Sequence, residues 1–257
     1  MNVLLFQLKR TTGTSATNKF TLPTTGTGYN YDITTSDGQV ITGLTSGTTI
    51  TFPTTGTYDV FISGAFPRFY FNNGGDKDKL LDIKNFGIYA LGSTNQAGAF
   101  DGCSNLVISA TDIGHFENVT NFSLAWRDCS SLTSFPLINT SSATDFSSAW
   151  VRCSSLTSFP LIDTSSGTNF VATWASCSSL TSFPANAFDT NIATDYTSAF
   201  TTTNLTTQSI DDILVSLVAS GVLNGTFNQS RGQAPSATGQ TAIATLTNRG
   251  WTITTTA

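Results

Sequence analysis

Three stretches of this chain repeat one another: DCSSLTSFPLINTSS from Asp128, RCSSLTSFPLIDTSS from Arg152 and SCSSLTSFPANAFDT from Ser176. Cys129, Cys153 and Cys177 fall 24 residues apart, and so do Trp126, Trp150 and Trp174. A fixed period in the twenties is the mark of stacked repeats. One such unit cannot bury its own apolar face, so adjacent units must bury it together. This constraint comes before any residue propensity. It points to a protein that presents a long surface, with little machinery for chemistry.

Composition narrows the surface. Only 11% of the 257 residues are charged, against roughly 25% in ordinary soluble domains. Thr, Ser, Gly and Asn take their place, so the exposed faces are neutral and hydroxylated. The 19 Phe, 4 Trp and 6 Tyr are too much apolar mass for a solvated coil. A net charge of −5 with 11 scattered basic residues leaves no electrostatic footprint for nucleic acid. No run approaches the ~20 apolar residues of a membrane span, so no membrane insertion is expected. The start, Met1 to Phe6 followed by Gln7, Lys9 and Arg10, lacks the order of a secretory leader. Synthesis without that export route is the expectation.

Cys103, Cys129, Cys153 and Cys177 form one column of the repeat. Three readings stand for it: buried reduced thiols, disulfides between units ~4.8 Å apart, or a metal site. A linear ladder suits tetrahedral zinc poorly. Trp126, Trp150 and Trp174 make a second structural column, expected on a short helical turn ahead of each cysteine. Phe122, Phe146, Phe170 and Tyr196 make an aromatic column expected on the opposite wall.

Residues from about 3 to 71 read as short strands with Gly, Pro and Asp-Gly turns, the pattern of a small β-sandwich. Asn72 to Lys79 reads as a junction. Leu132-x-x-Phe135-x-Leu137 and Leu156-x-x-Phe159-x-Leu161 fit the strand segment of a leucine-rich repeat. Apolar residues from Ile210 to Val218 have helical spacing; a second helix over 241–248 and a strand at 250–254 close the chain. The expected fold is therefore mainly β: a sandwich over 1–75, a leucine-rich-repeat solenoid over 76–207, and an α/β cap over 208–257.

Residues 80–207 resemble the BspA-like leucine-rich repeat family. Its pattern A-F-x-x-C-x-x-L-x-x-I-x-I-P is met by Ala149, Trp150, Cys153, Leu156, Phe159 and Leu161. Trp replaces Phe in three units, and Pro136, Pro160 and Pro184 precede the last apolar column instead of following it. Residues 24–72 resemble PKD-like Ig-type modules, with Tyr31 to Gly38 at the place of their W-G-D-G turn. The resemblance implies surface display and adhesion, in bacterial surface proteins or in phage appendages.

Chemistry finds few candidates. His115 is the sole histidine and Glu117 the sole glutamate, and a nucleophile needs a base within reach. Asp76 and Asp78 read as a solvated turn or a calcium site, and Asp211 with Asp212 as acids suited to a helix start. The expectation is a non-enzymatic protein without cofactor or metal. It is expected to be a phage virion protein on the particle surface, a tail-fibre or host-recognition adhesin; a capsid decoration protein and a bacterial cell-surface adhesin are the alternatives. Its partners are other virion proteins or itself, as a homotrimer, or a host surface glycan or protein. The binding ridge is expected along the outward residues Pro136, Ile138, Pro160 and Ile162, flanked by Ser134 and Ser158.

Overall fold

A computed structural model describes residues 3–10 and 18–256. Met1 and Asn2, on which the leader reading partly rests, lie outside them. The first strands are β1 (Leu4–Arg10), β2 (Lys19–Thr21), β3 (Asn30–Thr35), β4 (Val40–Leu44), β5 (Thr49–Thr51), β6 (Gly56–Ala65), β7 (Leu80–Asn85) and β8 (Val107–Ile108). Leu4, Phe6 and Leu8 of β1, Tyr31 and Ile33 of β3, and Tyr58, Val60 and Ile62 of β6 are buried, as period-2 alternation requires. These strands do not form an Ig-like sandwich. They make one mixed sheet in the order β4-β3-β6-β1-β7-β8, beside a separate β2–β5 pair. Strand β7 pairs antiparallel with β1 and parallel with β8, so the sheet runs on through residue 108.

The repeats differ from the expectation as well. Among the described residues, no strand lies between β8 and β9 (Asp195–Phe200). Only isolated parallel bridges link Asn95, Asn121, Asp145 and Asn169 in series, and Ser158 with Ser182. The expected Ig-like sandwich and leucine-rich-repeat solenoid are thus replaced by a mixed-sheet protein with short strands and two helices. Two local features keep the repeat from forming a strand. Pro136, Pro160 and Pro184 remove a ladder donor. Ile138 N–H then donates to the Pro136 carbonyl, and Ile162 N–H to that of Pro160, both at 3.0 Å, which closes a γ-turn.

Backbone groups in the repeats are satisfied by another scheme. Phe122, Leu124, Trp126 and Asp128 donate forward to the carbonyls of Asp145, Ser147, Ala149 and Val151 at 2.8–3.0 Å. Between them, Ala125, Arg127 and Cys129 donate back to Phe122, Leu124 and Trp126, closing tight turns. Leu124 and Asp128 adopt φ of 59° and 61°, so the tryptophans ride on left-handed turns and not on a helix. The same pattern recurs one and two repeats later. Equivalent residues of successive repeats thus lie over one another as rungs.

The chain closes with α1 (Thr207–Ala219), β10 (Thr226–Gln229), α2 (Ala237–Asn248) and β11 (Thr252–Thr254). Strand β10 lies between β9 and β11, parallel to both. Thr206 caps α1 and Ser236 caps α2 through their side chains. Ser209 and Ser216 of α1 accept the N–H groups of Phe183 and Phe188 at 3.0 and 2.7 Å. Helix α1 therefore satisfies the donors that the last rung leaves open.

Candidate functional site

The three structural columns are built from rings. Trp126 and Trp150 stack at 5.4 Å with 4° between planes, and Trp150 and Trp174 at 5.9 Å with 4°. Phe100 and Phe200 extend this column at its two ends. Phe122, Phe146, Phe170 and Tyr196 stack at 5.1–5.9 Å. Phe122 also stacks on Trp126 at 5.6 Å, so this column adjoins the tryptophans and is not on an opposite wall. Phe135, Phe159 and Phe183 form a third column that meets the indoles edge to face. The Nε1 hydrogens of Trp126, Trp150 and Trp174 are buried without a polar partner.

All four cysteines are free and buried. The thiols of Cys129, Cys153 and Cys177 donate to the carbonyls of Phe100, Trp126 and Trp150 at 3.1–3.2 Å. Burial pushes the thiols of Cys103, Cys129 and Cys153 well above their usual range. Such thiols are poor nucleophiles and poor metal ligands. Among the described residues, no group of three His, Cys, Asp or Glu side chains could hold a metal ion. The Asp76 carboxylate accepts Thr21 N–H at 2.8 Å and pairs with Lys79 at 2.7 Å, tying β2 to the turn before β7. Asp78 meets Lys77 and Ser104. Asp211 serves α2 and not its own helix start: it accepts both the N–H and the hydroxyl of Ser236. His115 sits 3.5 Å from Glu117 at the surface.

The expected ridge is displaced by one residue. Ile138 and Ile162 are 2% and 5% exposed, so they belong to the core. The γ-turn breaks the strand alternation and swings these residues inward. Leu137 and Leu161 take the outward place, 59% and 51% exposed. Ile113, 24 residues before Leu137, is 52% exposed in the same column, and Ala185 continues it. Pro136 and Pro160 are half-buried at its side, while Ser134 and Ser158 are exposed beside Thr133 and Thr157. The site is thus an aliphatic line across four rungs, bordered by hydroxyls.

Two other sets of residues escaped the sequence. Asn95, Asn121, Asp145, Asn169 and Asp195 each accept, through the side chain, the N–H two residues on. These Asx turns open successive rungs; the signal was an Asn or Asp five residues before Phe100, Trp126, Trp150, Trp174 and Phe200. Arg127 makes a two-pronged bond at 2.9 and 2.6 Å to the fully buried carboxylate of Asp101.

No protein-family model matches the chain, and no curated protein or solved structure matches it either.

Proposed function

We propose that this chain is a non-enzymatic recognition or decoration module displayed on a surface, in first place a phage virion protein of the tail-fibre or host-recognition kind. The observation that carries the reading is the line Ile113, Leu137, Leu161 and Ala185. Large aliphatic side chains held more than half in water, in a row and without charge among them, mark an interaction surface. A row of this kind suits an extended partner, such as a surface glycan or a filament of another virion protein. A small molecule is better served by a concave site. The buried, proton-holding cysteines and the surface position of His115 support a role without catalysis.

The same aliphatic line supports a second reading. A repeated hydrophobic row is also self-complementary, so three copies packed through it would make a homotrimeric decoration protein. Sedimentation of the purified chain, together with binding to candidate host cells, separates the two. A monomer that binds cells, and loses them in the double variant L137D/L161D, is a recognition module. A stable oligomer that ignores cells and dissociates in that variant is a decoration protein. A monomer that binds no cells overturns both. Mass spectrometry of purified particles against cell-envelope fractions separates the virion setting from a bacterial surface adhesin.

A further inference from the structure

A cleft of about 290 Å³ opens where the strand-rich segment meets the first rung. It is roughly ten water volumes in size, far more than a lone carboxylate or phosphate needs. Thr25, Arg68, Tyr70, Asn72, Asn95 and Gly98 line it, with no acid among the lining residues. Arg68 makes no ion pair among the described residues. Its guanidinium lies 4.8 Å over the Tyr70 ring, Nε donates to the Phe69 carbonyl at 3.4 Å, and Nη2 donates to the Ala97 carbonyl, which leaves the Nη1 hydrogens for a ligand. The cation is thus held in place with part of its donor fork unspent. Fixing such a fork in advance lowers the ordering cost of binding a carboxylate.

The other groups around it are neutral hydrogen-bonders. Asn95 spends Oδ1 on Ala97 N–H at 2.8 Å, which leaves its amide hydrogens for a ligand. Asn72 is exposed with its backbone at φ 45°, anchored by its own N–H to the Gly98 carbonyl at 3.0 Å. A side chain in place of Gly98 would press on Asn72 and Tyr70, so the glycine keeps the cleft floor open. One cation, two amides and the hydroxyls of Thr25 and Tyr70 complement an anion that carries hydroxyls.

We propose that this cleft binds a carboxylate-bearing sugar, a uronic-acid-type residue of a polysaccharide, with Arg68 on the carboxylate and Asn72, Asn95 and Thr25 on the hydroxyls. The inference stands apart from the aliphatic line and does not depend on its role. The test is titration of the full chain with sodium glucuronate, read by calorimetry and by amide shifts. Saturable binding that moves the amides of Asn72, Asn95 and Gly98 is expected, with glucose and acetate each at least about ten-fold weaker. Equal binding of glucose overturns the charged ligand, and equal binding of acetate overturns the sugar. Absence of saturable glucuronate binding overturns the site. Arg68→Met is expected to weaken glucuronate at least about ten-fold; a folded variant that binds like the parent refutes the assignment. Arg68 also braces the Ala97 carbonyl, so Asn72→Gly provides a gentler variant at a left-handed position. It should weaken binding several-fold without lowering the melting temperature, and undiminished affinity there counts against the proposal.

Discussion

Leu124, Ser148, Ala172 and Ser198 share a left-handed backbone with φ of 55–59°. The first rung has Gly98 in that column, at φ 64°. For a residue with a Cβ this conformation costs about 1–2 kcal/mol, and a glycine in the unfolded chain gives back about 0.5–1 kcal/mol of that gain. Ala172→Gly should therefore stabilise by up to ~1 kcal/mol, read as a raised urea midpoint. A fall in the midpoint would show that the turn is unstrained. Gly102→Ala should do the reverse and cost ~2 kcal/mol, because its φ of 80° strains a residue with a Cβ, which would also have to push aside the side chains of Asn73 and Lys77. The cysteine column gives a residue-level dependence on pH. Burial raises the thiols well above their ordinary 9.0, and it pushes Tyr31 up from 10.0 to about 12. Above pH 9 the unfolded chain releases protons that the native state keeps, so ν_U is below ν_N and stability falls as pH rises. It is fully present below pH 9 and declines from there toward pH 12. Melting temperatures from pH 8 upward should show this decline, and native protein at pH 8 should resist thiol labelling. A flat profile with rapid labelling would mean that the thiols are not buried.

At the scale of elements, the column Asp101, Arg127, Val151 and Ala175 changes from an ion pair to aliphatic packing along its length. Asp101 is fully buried, and Arg127 alone makes an ion pair with it among the described residues. Arg127→Met strands that charge and should cost ~3–5 kcal/mol. The double variant D101A/R127V copies the later rungs and should recover most of the loss, since apolar replacement of a buried pair is often neutral. Equal stabilities of single and double variants in chemical unfolding would refute this coupling. The column also shows what the sequence made legible. At the 24-residue spacing Trp126 stacks on Trp150 and Phe135 on Phe159, because stacking needs only a constant period. It does not reveal what the backbone does between columns. Prolines and γ-turns replace the expected strand, and this moves Ile138 inward and Leu137 outward. Ile113 was hidden because two extra residues lie between Cys103 and it, which breaks the count from the cysteine column. The mixed sheet was hidden for another reason: β1 pairs with β6 and β7, more than 45 residues away, and no local pattern records such partners.

At the scale of the whole molecule, the strand-rich start and the rungs share their bonding, so they should unfold together. Strand β7 is hydrogen-bonded to β1 on one side and to β8 on the other. Phe71, Asn72 and Asn73 donate to the carbonyls of Ala99, Gly98 and Asp101 at 3.0–3.1 Å, which lays residues 71–73 down as a rung of their own. Phe66, Phe69, Tyr89 and Phe100 then form one ring cluster across the join, with centroids 4.9–5.7 Å apart from neighbour to neighbour. A stack of repeats with only nearest-neighbour contacts can melt from its ends. Here both ends are held, by the sheet at the start and by α1 with its Ser209 and Ser216 acceptors at the finish. One cooperative transition is therefore expected. The four tryptophans, at 126, 150, 174 and 251, report only on the rungs and the closing segment, whereas four of the six tyrosines, Tyr29, Tyr31, Tyr58 and Tyr70, sit in the strand-rich start, with Tyr89 at the join and Tyr196 in the rungs. Tryptophan fluorescence and tyrosine absorbance should thus give coincident midpoints, with equal calorimetric and van't Hoff enthalpies. Two separated transitions, with tyrosine changing first, would show that residues 71–73 are a hinge between independent units and that the junction cleft opens before the rungs do.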